Sequence, residues 1–229
     1  MSETDADAAL GRLSACWFHT AEAIFMDGST PWEVDEALVA FGFAAGPFEM
    51  QDALGLDVVD RIIRERGAAE LPRRDVPLRA RMLELGKLGR KTGAGWYRYP
   101  GGGGKVDDPI VADLALEEAR FAGIERTDYT ADQIRERLLL AMVNEAAAIL
   151  DERIAQSARD IDLVTVFGYG FPRWRGGLMH YADSLGAQAI VARLDELARE
   201  DPVAWKASPV LRQCAENGTA IADWPQAWA

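Results

Sequence analysis

Apolar side chains recur along this chain every three or four residues, which is the spacing of a helix with one buried face, and they rarely alternate as in a strand. The pattern predicts a first helix from near Asp5 to Asp27, followed by Gly28 as a left-handed cap. The segment 30–33, Thr-Pro-Trp-Glu, is a capping box with proline at the first helical position. A second helix is therefore predicted to begin at Pro31 and to end at Gly42.

The remaining helices follow from the same spacing and from further proline and glycine signals. They are predicted from Phe48 to Leu54, Leu56 to Gly67, Pro77 to Leu85, Asp107 to Phe121, Thr130 to Asp151, and Ser208 to near Gly218. The glycine-punctuated segment 86–99 predicts an irregular or extended tail that lies across the first half. Almost nothing predicts a strand, so the predicted fold class is all-α.

The chain also contains an internal repeat. The segments 12–35 and 137–162 each consist of an arginine-led apolar helix, a short turn and a second helix. A glycine-rich turn with phenylalanine follows each, and then an aspartate three residues before a glycine, Asp52 in one copy and Asp183 in the other. The repeat is longer than the roughly 20 to 50 residues of a solenoid unit. We therefore predict two homologous domains, 1–100 and 107–229, joined by a glycine-rich linker at 101–106.

The composition is that of a chain able to bury a core. Its 229 residues are 49% hydrophobic, with a mean hydropathy of −0.12. No apolar run is long enough for a membrane span, and the first residues are acidic where a signal peptide is basic, so we expect a cytoplasmic protein. Cys16 and Cys214 have neither disulfide-type nor metal-type spacing, even with His19 and His180, and we expect both to be small buried hydrophobes.

The net charge of −12 argues against a nucleic-acid partner, whose phosphates the chain would repel. Residues 61–91 are the exception, with ten basic and four acidic side chains. This segment is either a solvated helical face or a contact with something anionic, such as the acidic second half of the chain or a phosphate-bearing ligand. The candidates for such a contact are Arg79, Arg81, Arg90 and Lys91.

Two sets of motifs make the pattern specific. The segments 46–57 (Gly-Pro-Phe-Glu-Met onward) and 88–97 resemble the C-terminal helical domain of L-3-hydroxyacyl-CoA dehydrogenases. The segments 143–146, 160–162 and 168–177 resemble the second such domain of the multifunctional β-oxidation enzymes. The resemblance implies a fold like the C-terminal domain of 6-phosphogluconate dehydrogenase, an oxidoreductase family of fatty acid β-oxidation, and two copies packed as an internal pseudo-dimer.

That packing implies a monomer, because the duplicated members bury within one chain the interface that single-copy members bury between chains. A weak dimer is the alternative if apolar surface such as Trp17 or Phe18 is exposed.

In that family a preceding Rossmann domain binds NAD and carries the catalytic histidine and glutamate, while the helical domain closes the acyl-CoA site. The resemblance makes Gly11, Gly46, Pro47 and Phe48 the substrate-facing candidates. Gly11 stands where the family has an asparagine that reaches into the active site, and Glu136 stands there in the second copy. Because glycine offers no side-chain donor, we expect no catalytic residue at this position and an impaired site.

No segment of the sequence predicts a site for NAD. Gly93-x-Gly95 and the run Gly101 to Gly104 with Lys105 are not followed by a helix, as a dinucleotide or phosphate loop would be. Asp183 is three residues from His180 and could orient its imidazole, but no Ser or Cys nucleophile is placed nearby, and a local hydrogen bond in a packed turn is the favoured interpretation.

Two functions remain open. The first is the acyl-CoA-facing helical part of an NAD-dependent 3-hydroxyacyl-CoA dehydrogenase, without the NAD-binding domain and so without turnover alone, which implies a separate NAD-binding subunit as partner. The second is a non-catalytic module that binds an acyl-CoA or another protein. An independent hydrolase or lyase has no support, because there is no nucleophile elbow, no paired-carboxylate motif and no metal site.

Overall fold

The fold was analysed in a computed structural model that describes residues 3–65 and 76–224. In the N-terminal half the helices are α1 (Glu3–Asp27), α2 (Pro31–Phe41), α3 (Pro47–Leu54), α4 (Leu56–Glu65), α5 (Leu78–Glu84) and α6 (Pro109–Phe121). The rest of the chain contains α7 (Ala131–Asp151), α8 (Ala158–Gly168), α9 (Leu178–Leu185), α10 (Ala187–Leu197) and α11 (Pro209–Asn217). The only strands in the described ranges are β1 (Tyr97–Arg98) and β2 (Val106–Asp107), which confirms the all-α class.

Most of the predicted helices are present with ends within two residues. The capping box at Thr30 is formed as predicted, with the Glu33 amide donating to the Thr30 hydroxyl and the Thr30 amide donating to the Glu33 carboxylate. Ser208 caps α11 through the amide of Leu211. The predicted end of α4 at Gly67 lies outside the described residues. Helices α9 and α10 were not predicted, although Ile190, Leu194 and Leu197 of α10 have helical spacing and are buried.

Contacts divide the chain into two compact units. The first unit contains residues 17–65 and 76–138, and the second unit contains residues 3–16 and 139–224 within the described ranges. Both boundaries fall inside long helices, α1 and α7. The predicted domain bounds, 1–100 and 107–229, describe the repeat in the sequence and stay a prediction.

The core of the first unit is aromatic. The Trp96 ring meets Phe25 and Phe48 edge to face, at centroid distances of 6.1 and 5.0 Å, and Trp17 lies 5.1 Å from Phe43. Such pairs contribute about 0.5 to 1.5 kcal/mol beyond the area they bury. Trp17 and Phe18 are both buried, so the prediction that they could be exposed is wrong.

The end of α1 is closed by a single arginine. Arg126 donates to the backbone carbonyl oxygens of Phe25, Met26 and Gly28 at 3.0 to 3.1 Å. These carbonyls lie in the last turn of α1 and just beyond it, where helix carbonyls lack intrahelical partners, and a cation there also favours the helix dipole. The segment before α7 is thereby fixed against α1.

The segment predicted as a linker lies in a hairpin. β1 and β2 pair antiparallel, Tyr97 with Asp107 and Arg98 with Val106, so residues 101–106 form the hairpin loop and the first residue of β2. The whole hairpin lies inside the first unit. Glycine-rich composition alone does not distinguish a hairpin loop from an interdomain linker, so the role of this segment as a boundary between the two repeats stays a prediction.

In the second unit, α7 supplies a continuous buried face, and Ile161, Phe171, Leu178 and Ile190 pack in the same core. Cys16 and Cys214 are buried free thiols, as predicted. Within residues 3–65 and 76–224, none of the helices combines the length and apolar character needed to cross a bilayer. Across the same ranges, no group of three His, Cys, Asp or Glu side chains is arranged to hold a metal ion.

Candidate functional site

The predicted substrate-facing residues of the first unit lie around a buried aspartate. Asp35, on α2, accepts hydrogen bonds from the backbone amides of Phe48 at 2.9 Å and Glu49 at 3.0 Å. The amides of the first turn of α3 have no partner within their own helix, and a carboxylate there also faces the positive end of the helix dipole. Asp35 therefore caps α3 from thirteen residues earlier in the chain.

Gly46 makes this cap possible. A Cβ atom at Gly46 would lie 2.3 Å from the Cα of Asp35 and 2.5 Å from its Cβ, so only glycine allows α2 and the start of α3 to approach this closely. Gly46, Pro47 and Phe48 are all buried in the first unit. In the structure these three residues lie at the contact between α2 and the start of α3, where they pack inside the first unit.

A lysine completes the surroundings of Asp35. The Nζ atom of Lys105 lies 2.9 Å from a carboxylate oxygen of Glu49 and 3.5 Å from one of Asp35. It also lies over the rings of Tyr97 and Trp32, at 4.8 and 5.0 Å from their centroids. An ammonium held between two carboxylates and two aromatic faces is stabilised by both ionic and cation–π attraction. Lys105 thereby fastens the hairpin to α2 and α3.

A second buried aspartate anchors the segment after α5. Asp52, on α3, accepts the backbone amides of Trp96 at 2.9 Å and Tyr97 at 3.0 Å, and the Tyr99 hydroxyl donates to it at 2.9 Å. A Cβ atom at Gly95 would lie 2.0 Å from this carboxylate. The predicted tail across the first half is thus β1 and its flanks, held by one side chain.

The Gly93–Gly95 and Gly101–Gly104 segments do not fit NAD. Gly93 closes a short 3-10 turn, Gly95 makes room for Asp52, and residues 101–104 lie in the hairpin loop. A dinucleotide site needs a strand, a glycine turn and then the N-terminus of a helix aimed at the pyrophosphate. No helix begins directly after either segment.

The second unit repeats this arrangement. Asp162, on α8, accepts the backbone amides of Met179 at 2.7 Å and His180 at 3.2 Å, and a Cβ at Gly177 would lie 2.4 Å from its carboxylate. Asp183 accepts the amides of Ile221 at 2.6 Å and Ala222 at 3.0 Å. Asp162 thus corresponds to Asp35, and Asp183 to Asp52.

This geometry corrects the interpretation of His180. The residue is exposed on helix α9, where a packed turn was predicted, and both oxygens of Asp183 are hydrogen-bonded to backbone amides elsewhere. The backbone amide of His180 donates to Asp162. His180 therefore lies in a capped helix start and is not held by Asp183 as a base.

The four anion-contact candidates lie against carboxylates of the chain. Arg79 is buried and pairs with Glu22, with Asp60 at 3.6 Å. Arg81 pairs with Glu118, with Glu117 at 3.5 Å. Lys91 pairs with Asp57, and Arg90 lies 3.9 Å from Glu49 and over the Tyr99 ring. Each of these contacts joins two parts of the first unit, and only Glu117 and Glu118 come from the predicted second domain, 107–229.

Gly11, the fourth substrate-facing candidate, is separate from the other three. It is a buried position in α1, in the second unit. The next residue, Arg12, donates from Nε to Glu145 at 2.7 Å and also pairs with Glu152. These contacts fix the first part of α1 against α7, so the backbone at Gly11 is held in place although its side chain offers no functional group.

Burial shifts the pKa values of two acidic side chains in the first unit. Burial raises the pKa of Glu22 to about 7, with Arg79 opposing the shift, and it raises the pKa of Asp35 to about 6 despite the amides of Phe48 and Glu49. Both groups bind a proton more tightly in the folded chain than in the unfolded one. Their contribution to stability is therefore fully present below the unfolded pKa and is lost as the pH rises through the folded pKa.

We accordingly predict that the free energy of unfolding falls between about pH 4 and pH 7, by roughly 1.4 kcal/mol per pH unit for each group within its own window. Urea unfolding at several pH values measures how the free energy of unfolding changes with pH. The variants Asp35→Asn and Glu22→Gln should each flatten this dependence in the pH range where the replaced carboxyl group titrates. Slopes equal to that of the wild-type chain in both variants would contradict the assignment.

Comparison with known proteins identifies the family. The model of the 3-hydroxyacyl-CoA dehydrogenase C-terminal domain matches residues 9–99 and again residues 134–222. The chain belongs to this family. The two matches contain the two aspartate arrangements, Asp35 with Asp52 and Asp162 with Asp183.

Two peroxisomal bifunctional enzymes are similar over nearly the whole chain. The peroxisomal bifunctional enzyme of Danio rerio is 36% identical over 224 residues, covering 91% of this chain and 31% of that protein. The human peroxisomal bifunctional enzyme is 34% identical over 230 residues, covering 93% of this chain and 32% of its own length. The chain thus spans about a third of the length of these relatives.

Solved structures share the fold of this dehydrogenase C-terminal domain. The dehydrogenase part of multifunctional enzyme 1 from C. elegans superposes with a TM-score of 0.67 at 23% identity, covering 88% of this chain and 46% of that one. The 3-hydroxybutyryl-CoA dehydrogenase of Escherichia coli gives a TM-score of 0.69 at 20% identity, covering 91% of this chain and 59% of that one. At these identities the comparison establishes the fold.

Sequence reasoning missed three residues of the first unit's framework: Asp35, Tyr97 and Lys105. The Tyr97 hydroxyl donates to Asp35 at 2.8 Å, beside Lys105. The available signal was the repeat itself, because an aspartate ends the aligned helix pair in both copies. Two aspartates at equivalent positions indicate a shared structural requirement that one aspartate does not.

Proposed function

We propose that this chain supplies the acyl-CoA-facing helical part of an NAD-dependent 3-hydroxyacyl-CoA dehydrogenase of fatty acid β-oxidation, and that it does not turn over alone. The observation that carries the proposal is the double match to the family, with the same aspartate framework in each copy. The named relatives are bifunctional enzymes, which supports a role as one part of a larger catalytic assembly.

The chemistry of the described side chains agrees with this division of labour. Oxidation of a 3-hydroxyacyl group needs a base at the hydroxyl and a hydride acceptor at the same carbon. Each of the aspartates 35, 52, 162 and 183 accepts hydrogen bonds from two backbone amides, which is a structural use of the carboxylate. A separate NAD-binding subunit is the partner that this role implies.

Activity assays test the proposal directly. With NAD and 3-hydroxybutyryl-CoA, the purified chain should produce no NADH above the blank, while addition of a separately purified NAD-binding domain of the family should produce it. In that mixture Gly11→Asn should raise kcat, by up to roughly 10² to 10³ if the asparagine contact is restored in full. Turnover by the chain alone, at a rate typical of such dehydrogenases, would refute the proposal.

The alternative is a non-catalytic module that binds an acyl-CoA or a protein. The exposed apolar side chains of α6 and α8 favour the protein-binding form of this alternative. Calorimetry with acetoacetyl-CoA at low and moderate salt distinguishes the acyl-CoA-binding module from the protein-binding module, because a contact driven by the phosphates of the CoA weakens as salt screens it. Heat of binding without any turnover in the reconstituted mixture would favour the module. The cytoplasmic location also remains a prediction, to be checked by cell fractionation.

A further inference from the structure

The second copy carries a turn that the first copy does not have. Asp35 and Gly46 are eleven positions apart, whereas the equivalent Asp162 and Gly177 are fifteen apart, so the second connection is four residues longer. The additional length forms a 3-10 turn at Arg173–Arg175. Because the first copy builds the same aspartate cap without this turn, the cap does not explain it.

This turn and the adjoining face of α8 display large side chains to solvent. Phe167 and Trp174 are each 72% exposed, and Leu163 is 50% exposed. The guanidinium of Arg173 lies 5.5 Å from the centroid of the Phe167 ring, and that of Arg175 lies 4.0 Å from the Trp174 ring. We call these five residues the aromatic knob. Exposed tryptophan next to arginine is the composition that dominates the energetics of protein interfaces.

The knob is positively charged in an acidic protein. The segment 163–182 contains two arginines and neither aspartate nor glutamate, while the whole chain has a net charge of −12. In the first copy the phenylalanines of the corresponding turn, Phe41 and Phe43, are only 4% exposed, because that turn packs into its own unit. The knob is therefore a feature of one copy, displayed outward and opposite in sign to most of the surface.

Helix α6 of the first unit offers a complementary surface. An open surface depression of about 680 Å³ runs along α6, and the described residues that line it all belong to this one helix: Ile110, Asp113, Leu114, Leu116, Glu117, Arg120 and Phe121. Phe121 is 75% exposed, and Ile110 and Leu116 are 54% and 53% exposed. Asp113 and Glu117 lie one turn apart along the same stripe and give the apolar side chains an acidic edge. Glu117 also lies 3.5 Å from Arg81, and Arg120 belongs to the same lining, so Asp113 is the acidic side chain on which the charge match mainly rests. We call this surface the α6 groove.

We propose that the aromatic knob of one copy of this chain docks in the α6 groove of a second copy. Trp174 and Phe167 cover the apolar side chains of the groove, and Arg173 and Arg175 meet Asp113 and Glu117. A second copy is the favoured occupant because both surfaces belong to the same chain, both are apolar, and the basic knob faces an acidic edge. The inference does not depend on the dehydrogenase role proposed above.

The contact joins two different surfaces, so it is head-to-tail. Each docked copy keeps one free knob or one free groove, and association continues unless the copies close into a ring. The net charge of −12 on every copy opposes association at long range, so the complex forms at high protein concentration. The monomer implied by the family resemblance is then the species at low concentration.

Sedimentation velocity of the full chain, from micromolar to near-millimolar concentration, tests the proposal. The mean mass of the wild-type chain should rise above that of a monomer as concentration increases. Trp174→Ala and Phe121→Ala should each weaken association at least about tenfold, as expected when a central anchor of an interface is truncated. Val203→Ala is the matched control, since Val203 is 53% exposed but lies on neither surface, and it should leave association unchanged.

Mixing the two variants provides the sharper test. The Trp174→Ala chain keeps its groove and the Phe121→Ala chain keeps its knob, so an equimolar mixture should form one productive contact and stop at two copies. Reversing charges in a pair, Arg173→Asp with Asp113→Arg, should restore association that either change alone weakens. Circular dichroism checks that each variant is folded, which substitutions at exposed positions should preserve.

Three outcomes overturn the proposal. One is a wild-type chain that stays monomeric at every concentration. Another is self-association that Trp174→Ala and Phe121→Ala leave unchanged, which would place the contact elsewhere. The third is a mixture of the two variants that remains monomeric although each variant is folded, which would mean that knob and groove do not meet.

Discussion

Replacing Asp52 by alanine is expected to lower the free energy of unfolding by at least about 3 kcal/mol. The carboxylate accepts the backbone amides of Trp96 and Tyr97 and the hydroxyl of Tyr99, all inside the first unit. Alanine removes every acceptor at once. A buried donor left without a partner costs about 1 to 3 kcal/mol, and three donors lose theirs here.

Burial raises the pKa of Asp52, so part of what the carboxylate contributes is offset by the cost of burying its charge. This offset does not protect the alanine variant, because the donors remain buried after the acceptor has gone. Asp52→Asn keeps one acceptor oxygen and should recover part of the loss. Urea unfolding followed by tryptophan fluorescence measures the difference, since Trp96 lies directly beside the site.

The equivalent change in the second copy is the matched control. Asp183 accepts two amides, from Ile221 and Ala222, and Ala222 is exposed to water that can replace the lost acceptor. Asp183→Ala should therefore cost less, about 1 to 2 kcal/mol. Equal losses at the two positions, or a loss at Asp52 below that at Asp183, would show that the three buried donors do not determine the effect.

Replacing Gly46 by alanine is expected to destabilise the first unit by about 3 kcal/mol or more. The added Cβ would lie 2.3 Å from the Cα of Asp35, and backbone atoms cannot move aside as the end of a flexible side chain can. Helix α2 and the start of α3 would have to separate. The amides of Phe48 and Glu49 would then lose the Asp35 carboxylate as well.

The backbone conformation at Gly46 isolates the steric cause. Its φ of −84° is available to alanine, so the expected loss does not arise from a left-handed conformation. Gly104→Ala is the control, because a Cβ there meets nothing within 4 Å, and the change should stay within about 0.5 kcal/mol. Thermal unfolding of the Gly46→Ala and Gly104→Ala variants measures the difference in stability. Similar stability for both would show that Gly46 does not approach Asp35 this closely.

The helices could be predicted because their signals are local. The capping box at Thr30 and the apolar spacing of α7 lie within a few residues, so the sequence contains the whole of each signal. The β1–β2 hairpin could not be predicted, because its strands are two residues long and Asp52, more than forty residues earlier, positions them.

The candidate site also has a part that could be predicted from sequence and a part that could not. The motif around Gly46, Pro47 and Phe48 was found from sequence, and its role in facing the substrate stays a prediction. The burial of that motif under Asp35 and Lys105 depends on contacts across the chain, which no spacing reveals. Arg79 also seemed available for a ligand until its partner, Glu22, was located 57 residues away.

Neighbouring residues were enough to predict the helical class, the duplicated pattern and the resemblance to a dehydrogenase family, because periodicity, caps and motifs are local signals. Which charged and polar groups find partners within the chain became known from the folded structure alone. Asp52 anchors a hairpin, Arg79 pairs with Glu22, and Trp174 stays in solvent while Trp17 is buried. The reason is physical: burial and electrostatic pairing depend on which distant segments meet, and that is a property of the folded chain.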